Sequence, residues 1–199
     1  RLQGLSLKNV NAVAWCEGKK ADEQFGEMLF TNSGLSGPLI LSLSRTVVKL
    51  LEQKKQVSVT VDLKPALDYK QVDQRILREI DAHGKQAYKN LLKQLLPQKM
   101  IDVVVEKTEV PADLPCNQLS SEQRKRLRNL LKELSFEITG YGGYEQAIVT
   151  MGGVKVKEIN PKTMESRLIK KLYFAGEVID IDADTGGFNL QAAFSTGWL

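Results

Sequence analysis

The chain is constrained most by its last segment, in which an apolar run, an acidic turn and a glycine pair follow one another. The run Leu172–Ala175 is typical of a buried parallel strand, and it stops at Gly176 and Glu177, where the backbone can turn. After an Asp-rich linker, Gly186 and Gly187 come directly before apolar residues with helical spacing. The pattern predicts a strand that ends in a turn, followed by a helix that two glycines open.

This order of elements suits an oxygen-rich or anionic ligand. A helix N-terminus presents unpaired N–H groups and a partial positive charge, and glycines before it let a ligand approach the backbone. Glu177 and Asp180, at the end of the predicted strand, can accept hydrogen bonds from ligand hydroxyls, as acidic residues do for ribose. The pattern indicates half of a nucleotide cofactor site, although a Gly-Gly loop before a helix is also common as a plain tight connection.

The first third of the chain has strand-like segments around one helical segment. Val10–Cys16 predicts a strand and the charged segment Glu17–Glu23 predicts a turn, so together they indicate a hairpin. Ser36 is predicted to cap a helix that has Pro38 in its first turn. The alternating segment Val57–Asp62 predicts a further strand.

Helical spacing dominates the middle of the chain, where four helices are predicted between residues 66 and 134. Strands are then predicted at Phe136–Thr139 and Gln146–Met151. A strand–helices–strand order is typical of an inserted domain whose ends lie close together. The fold class is therefore predicted to be α+β, with an all-helical insert between β segments.

Composition and rare residues argue against several classes of protein. The apolar share of 42% is typical of a chain with a packed core, and no apolar run approaches the roughly 18 residues of a membrane span. No basic and apolar leader precedes the first strand. Cys16 and Cys116 lie far apart and His83 is the only histidine, so neither a metal site nor a His-based catalytic triad is predicted. We expect two reduced thiols, and a helix that ends at His83 and Gly84.

The net charge of +4 has a local concentration at residues 124–128, which read Arg-Lys-Arg-Leu-Arg. Such a run can contact the phosphates of a nucleic acid. However, Leu127, Leu130, Leu131 and Leu134 form an apolar stripe through the same segment, so its charges are predicted to form the solvated face of a helix. The solvated face is the favoured interpretation, and nucleic-acid binding is the alternative.

Four motifs of the chain resemble those of one known family. They are F-G-E-M-L-F-T-N-S-G-L-S-G-P (Phe25–Pro38), V-T-M-G-G-V (Val149–Val154), T-M-E-S-R-L (Thr163–Leu168) and L-Y-F-A-G-E-V-I-D-I-D-A-D-T-G-G-F-N-L-Q-A-A-F-S-T-G (Leu172–Gly197). In these motifs and their order the chain is similar to the BaiN/YhiN-type NAD(P)/FAD-dependent oxidoreductases, bacterial flavoproteins with a glutathione-reductase-like FAD fold. The resemblance implies a β-barrel-like module at 1–65 and 135–146, a helical insert at 66–134 and a partial FAD-binding lobe at 147–199.

The resemblance also implies which residues contact FAD. Glu177 would bind the ribityl hydroxyls, and the N–H groups at the start of the last helix would face the flavin N1/C2=O edge, where they would stabilise reduced flavin. Gly152 and Gly153 would let the backbone approach the flavin ring. The full set of expected cofactor-binding residues is Gly152, Gly153, Gly176, Glu177, Asp180, Gly186, Gly187, Phe188 and Asn189.

The chain departs from the family pattern in two respects. It has no G-x-G-x-x-G turn, the element that holds the pyrophosphate of the cofactor in relatives. We therefore expect an internal piece of a longer flavoprotein, whose partner is the missing N-terminal FAD-binding segment and which alone is inactive and retains little FAD. Asn32 stands where many members carry histidine, so any proton-transfer role of that histidine is not assigned here.

The function implied by the resemblance is that of a cytoplasmic flavoprotein oxidoreductase. It would pass hydride from NADH or NADPH through FAD to a small organic substrate with an activated carbon–carbon double bond, and neither a nucleic acid nor a membrane is the expected partner. No catalytic acid or base is assigned, since Tyr141, Tyr144 and Glu165 are merely polar residues in segments expected near the substrate. The alternative is a non-catalytic binding module, which could bind nucleic acid through residues 124–128 with a steep dependence on salt.

Overall fold

Strands that alternate apolar and polar residues build an antiparallel sheet in the first part of the chain. In this computed structural model, which describes residues 1–199, the strands are β1 (Ser6–Cys16), β2 (Lys19–Phe30), β3 (Leu35–Ser36), β4 (Val57–Asp62) and β5 (Leu134–Ile138). Their order in the sheet is β3-β2-β1-β4-β5, and every neighbouring pair is antiparallel. Alternate residues of β4 are buried, which gives the sheet one core-facing side.

The chain has six α-helices, and the first five carry an apolar stripe that is buried. Their bounds are α1 (Pro38–Glu52), α2 (Tyr69–His83), α3 (Tyr88–Leu95), α4 (Ile101–Thr108), α5 (Ser121–Lys132) and α6 (Phe188–Trp198). Asp68 and Ser120 begin α2 and α5 with capping boxes, in which a Gln side chain three residues later returns a bond to the cap. No helix of the six is both long enough and apolar enough to cross a membrane.

The chain divides into two units, Arg1–Thr139 and Gly140–Leu199. In the first unit, buried side chains of the sheet, α1 and the helices α2 to α5 belong to one hydrophobic cluster. Ala12, Leu43 and Ile76 are examples from these three parts. The finer predicted division of this unit into a barrel-like module and a helical insert stays a prediction.

The second unit has little core of its own. Isolated bridges join Val154 to Ile179, Ile159 to Ser166 and Glu165 to Tyr173, and α6 completes the unit. Ile159 and Ile179 are its only fully buried hydrophobic residues. Most of its apolar side chains are therefore exposed, in contrast to those of the first unit.

Several predictions from sequence are confirmed, including the α+β class. The hairpin forms with its turn at Glu17 and Gly18, β4 spans the predicted residues, and four helices occur where they were expected between residues 66 and 134. α2 ends at His83, and α6 begins directly after the glycine pair. Cys16 and Cys116 are both free thiols.

Two predicted strands are wrong. Gln146–Met151 contains the end of a short 3-10 turn and bends, and makes no strand pairing. Leu172–Ala175 forms a single bridge at Tyr173, whose exposure is 59%, and is not a buried strand. Both runs have the apolar character of strands, but a strand needs a continuous neighbour to satisfy its backbone groups, and the second unit supplies none along these runs.

The predicted cap of α1 is also wrong. Ser36 lies in β3, and the N-cap position belongs to Gly37, which has no side chain to donate or accept. Gly37 has a φ of +95°, and a Cβ there would lie 3.0 Å from Leu29 N and from Met28 Cα. The close packing of this loop against β2 explains why glycine, and not a capping side chain, precedes Pro38.

Candidate functional site

Two of the segments predicted to bind the cofactor lie side by side in the second unit. Val154 N donates to Val178 O at 2.8 Å, and Asp180 N donates to Val154 O at 2.9 Å. Thr150 adds two hydrogen bonds to one carboxylate oxygen of Glu177, from its N–H group at 2.8 Å and its hydroxyl at 3.1 Å. The glycine pair at 152–153 is thereby brought next to the turn at 176–180.

Gly153 is required by this contact between two parts of the chain. Its φ is +138°, and a Cβ there would lie 2.4 Å from Val178 O and 3.1 Å from Asp180 N. The close neighbour of Gly153 is thus the protein's own backbone, whereas Gly152 has nothing within 4 Å of its Cβ position. Of the two glycines, Gly152 leaves its backbone open to a ligand.

Glu177 keeps part of its hydrogen-bonding capacity. Its Oε1 accepts both bonds from Thr150, and Oε2 accepts none within the chain. The side chains of Glu177 and Asp180 are both exposed. The turn therefore has a carboxylate oxygen that can accept a further hydrogen bond, and its role in binding a ligand stays a prediction.

The start of α6 is open. Gly187, with a φ of +91°, has nothing within 4 Å of its Cβ position, and the first helical bond runs from Gln191 N to Gly187 O at 2.9 Å. The amides before Gln191 therefore have no helical acceptor. Phe188 is 61% exposed, and a Cβ on Gly186 would lie 3.3 Å from its ring.

Asn189 closes the loop that precedes α6. Its Oδ1 accepts from Ala183 N at 2.8 Å, and its Nδ2 donates to Ala183 O at 2.9 Å. The side chain thus completes two backbone hydrogen bonds of the chain itself. In this geometry the Asn189 side chain positions the start of α6.

The turn at Gly176 meets the other end of α6. Gly176 N donates to the hydroxyl of Thr196 at 3.0 Å. Thr196 follows Gly187 by nine positions, about 14 Å along a helix axis. Thr150 and Thr196, which hold these segments together, were missed at the sequence level because single threonines carry no distinctive signal.

The polar residues expected near the substrate form no catalytic arrangement. Glu165 Oε1 accepts from Lys171 N at 2.7 Å, so this carboxylate closes a turn within the second unit. Tyr144 is 87% exposed and lies in a short 3-10 turn. No catalytic acid or base emerges from this geometry.

The basic run at 124–128 is largely occupied by contacts within the first unit. Arg124 Nε donates to Asp73 at 3.0 Å, and Arg126 donates to Glu109 at 2.8 Å. The guanidinium of Arg128 lies 5.8 Å from the centroid of an aromatic ring. Three of its four cations therefore join α5 to its neighbours.

Burial raises the pKa values of three side chains in the first unit. It raises the pKa of Tyr88 to about 12, while the Tyr88 hydroxyl lies 3.1 Å from that of Thr108. Burial and then the hydrogen bond to Glu133 raise the pKa of Tyr69 to about 12. Burial also raises the pKa of the Cys116 thiol, which keeps this cysteine protonated and unreactive.

Comparison with known proteins assigns the chain to a family. Residues 1–149 match the model of a domain described as the HI0933-like protein barrel and H2TH domain. The chain belongs to the HI0933-like family. Its members are flavoprotein oxidoreductases, and the resemblance to the BaiN/YhiN type is confirmed. The antiparallel sheet and the helices α2 to α5 agree with the barrel and helical parts in that description.

Three relatives are informative. The chain is 36% identical to a ribosomal RNA dihydrouridine synthase of Haemophilus influenzae, over 99% of this chain and 45% of that protein. It is 33% identical to a ribosomal RNA dihydrouridine synthase of Escherichia coli, over 86% of this chain and 40% of that protein. It is 32% identical to a 3-dehydro-bile acid delta(4,6)-reductase of Clostridium scindens, over 89% of this chain and 43% of that protein. The chain spans less than half the length of each relative.

Proposed function

We propose that this chain is part of a flavin-dependent reductase that saturates a carbon–carbon double bond conjugated with a carbonyl group. The observation that carries the proposal is that the names of its relatives describe the same kind of reaction, the reduction of a conjugated double bond. Dihydrouridine is uridine whose ring C5=C6 bond, conjugated with the C4 carbonyl, has been reduced. A delta(4,6)-reductase of a 3-dehydro-bile acid acts on double bonds conjugated with the 3-oxo group.

A uridine of ribosomal RNA is the substrate that we favour. The match to the Haemophilus influenzae relative covers 99% of the chain, against 89% for the bile-acid reductase. The first unit also carries 22 Lys and Arg against 17 Asp and Glu, a charge that suits a polyanion. A small-molecule enone, which the sequence favoured, is the second candidate, and the Clostridium scindens relative supports it.

FAD would relay hydride from NADH or NADPH to the double bond of the substrate. Part of the predicted residue set fits this cofactor. The open amides at the start of α6 suit the polar edge of the flavin, and the Oε2 atom of Glu177 suits a ribityl hydroxyl. Gly152, Gly176 and Gly187 leave the backbone accessible, since nothing lies within 4 Å of their Cβ positions.

We further propose that the second unit is one part of an FAD-binding lobe whose remainder lies outside this chain. The exposure of α6 supports this: Phe188 is 61%, Leu190 63%, Phe194 72% and Trp198 92% exposed. Leu190, Phe194 and Trp198 follow one another at intervals of four residues and therefore share one helix face. An exposed apolar face of this kind is typical of a helix that packs against the rest of a larger domain. The relatives are more than twice as long as the region matched here, which is enough chain to cover it.

The full-length protein that contains this chain provides the test. It should purify with a flavin spectrum and oxidise NADH or NADPH when ribosomal RNA that lacks dihydrouridine is added, with a two-hydrogen increase in the mass of one nucleoside. Reduction of a 3-oxo-4,6-diene steroid with no change in the RNA would replace the first substrate by the second. Absence of flavin from the full-length protein would refute the proposal.

A substitution tests the part of the cofactor site in this chain. Glu177→Gln in the full-length protein should weaken FAD binding about 10-fold, because a hydrogen bond to a charged acceptor is about 1–1.5 kcal/mol stronger than one to the neutral amide that replaces it. Glu145→Gln, at another exposed position of the same unit, should leave the affinity unchanged. The 199-residue chain alone should retain little FAD, and a stoichiometric flavin spectrum would contradict that expectation.

A further inference from the structure

One continuous stretch of the helical region carries lysines and no acidic residue. Between Asp81 and Asp102 the sequence contains four lysines and one histidine, but no Asp or Glu. The fourth lysine donates to a main-chain carbonyl group at 3.0 Å. The other three, Lys85, Lys89 and Lys93, are exposed, and we call them the α3 lysine surface.

The charges of this surface are uncompensated within the protein. Lys89 and Lys93 are four residues apart on α3 and therefore lie on one helix face, while Lys85 lies in the turn that leads into the helix. None of the three forms an ion pair, and the one side-chain bond among them runs from Lys93 Nζ to the neutral Oδ1 of Asn90 at 3.0 Å. Like charges four residues apart repel each other, so an external anion would relieve the repulsion.

The backbone beneath the α3 lysine surface is fixed at several points. Tyr88 N donates to Leu114 O at 2.8 Å, and Lys89 N donates to Ala112 O at 3.0 Å. Tyr88 itself is fully buried, with its hydroxyl 3.1 Å from that of Thr108. The lysines are therefore presented from a base that need not reorganise on binding.

From these observations we propose that Lys85, Lys89 and Lys93 dock the phosphate backbone of an RNA substrate, an inference that rests on the proposed ribosomal RNA function. The run at 124–128 is less suited, because Arg124 and Arg126 would first have to leave their carboxylate partners. The one aromatic residue in the α3 segment, Tyr88, points into the core. The surface therefore positions RNA through phosphates and does not read its bases.

The test is a fluorescence anisotropy titration of the 199-residue chain with a labelled single-stranded RNA of ribosomal sequence, without flavin or NAD(P)H. At 0.15 M salt, loss of three phosphate contacts should weaken binding about 50-fold, since the affinity for single strands varies with salt to the power of about −0.7 per contact. The variant is Lys85→Gln/Lys89→Gln/Lys93→Gln. Its slope of log affinity against log salt should fall by about 2.

A charge-matched control separates the surface from net charge. Three exposed lysines elsewhere in the first unit form no ion pair: Lys19 of β2, Lys49 of α1 and Lys54 of the turn after α1. Their triple change to glutamine should weaken binding less than about 3-fold, whereas changing the three α3 lysines to arginine should preserve it. Equal losses in the two glutamine variants, or no salt-dependent RNA binding at all, would overturn the proposal.

The docking surface and the chemistry can fail separately. If the full-length enzyme reduces ribosomal RNA and the three glutamines at 85, 89 and 93 leave its KM unchanged, the docking surface is wrong and the proposed function stands. If the 199-residue chain binds RNA through these lysines and the full-length enzyme reduces no uridine, the proposed reaction is wrong and the docking surface stands.

Discussion

Replacing Lys132 by methionine should destabilise the first unit more than any other removal of a single lysine charge. Lys132 is the last residue of α5, and its side-chain exposure is only 9%. Its Nζ donates to Asp62 at the end of β4 and to the main-chain oxygens of Lys64 at 3.2 Å and Leu67 at 2.6 Å. One ammonium group therefore joins the sheet, the connection to α2 and the last turn of α5.

The size of the destabilisation follows from the carboxylate of Asp62, which the change leaves without its cationic partner. Breaking a buried ion pair by removing one partner costs about 3–5 kcal/mol. Asp62 is 18% exposed and its Oδ1 also accepts from Lys64 N at 2.8 Å, so we expect the lower end, about 3 kcal/mol. With a urea dependence of about 2 kcal/mol per molar, the unfolding midpoint should fall by about 1.5 M.

Urea unfolding followed by circular dichroism at 222 nm measures this change. Lys125→Met is the matched control, because Lys125 is an exposed lysine of the same helix that forms no ion pair. The control should alter the unfolding free energy by less than about 0.5 kcal/mol. If both variants unfold at the same urea concentration, the contacts of Lys132 contribute nothing beyond charge and the reasoning is refuted.

Three further predictions concern the first unit. Tyr88→Phe should lower the unfolding free energy by about 1 kcal/mol in urea, because Thr108 keeps its bond to Val104 O at 2.7 Å; a loss above about 3 kcal/mol would contradict this. Burial raises the pKa of Tyr88 to about 12, above its value near 10 in the unfolded chain. The stability that Tyr88 contributes should therefore be complete below pH 10 and be lost as the pH rises towards 12. The Tyr88→Phe variant should not show this loss. Gly37→Ala should lower the unfolding free energy by about 2 kcal/mol, because the φ of Gly37 is +95° and a Cβ there would lie 3.0 Å from the backbone of β2. Gly34→Ala is the control, since nothing lies within 4 Å of the Cβ position of Gly34. Equal urea midpoints for the two variants would disprove the packing argument.

The helical region was predictable from sequence because its signals are local. The apolar residues of α2 to α5 recur at helical spacing, and their burial against neighbouring helices needs only residues within the same unit. The end of α2 at His83 follows equally from local chemistry. Such elements need no information about distant partners.

The candidate site was predictable only in part, because its geometry depends on contacts distant in sequence. The glycine pair Gly186 and Gly187 is a local signal, and it predicts the start of α6 correctly. The reason for Gly153, a carbonyl oxygen twenty-five positions later, has no signature in the local sequence. The reason for Gly37 at the N-cap of α1, in place of the predicted Ser36, is likewise its close contact with β2, which the local sequence does not reveal.

The exposed apolar surface of the second unit gives a last prediction, on Trp198. If the remainder of an FAD-binding lobe covers α6, this side chain, 92% exposed here, should become inaccessible in the full-length protein. A Trp15→Phe background leaves Trp198 as the only tryptophan of this chain, and any others in the full-length protein would also be changed to phenylalanine. Acrylamide should then quench Trp198 strongly in the 199-residue chain and several-fold less in the full-length protein, with a shift of its emission to shorter wavelength, because burial removes the indole from water. Equal quenching in both proteins would mean that nothing packs on α6, and the proposal that it is an interior helix of a larger lobe would fail.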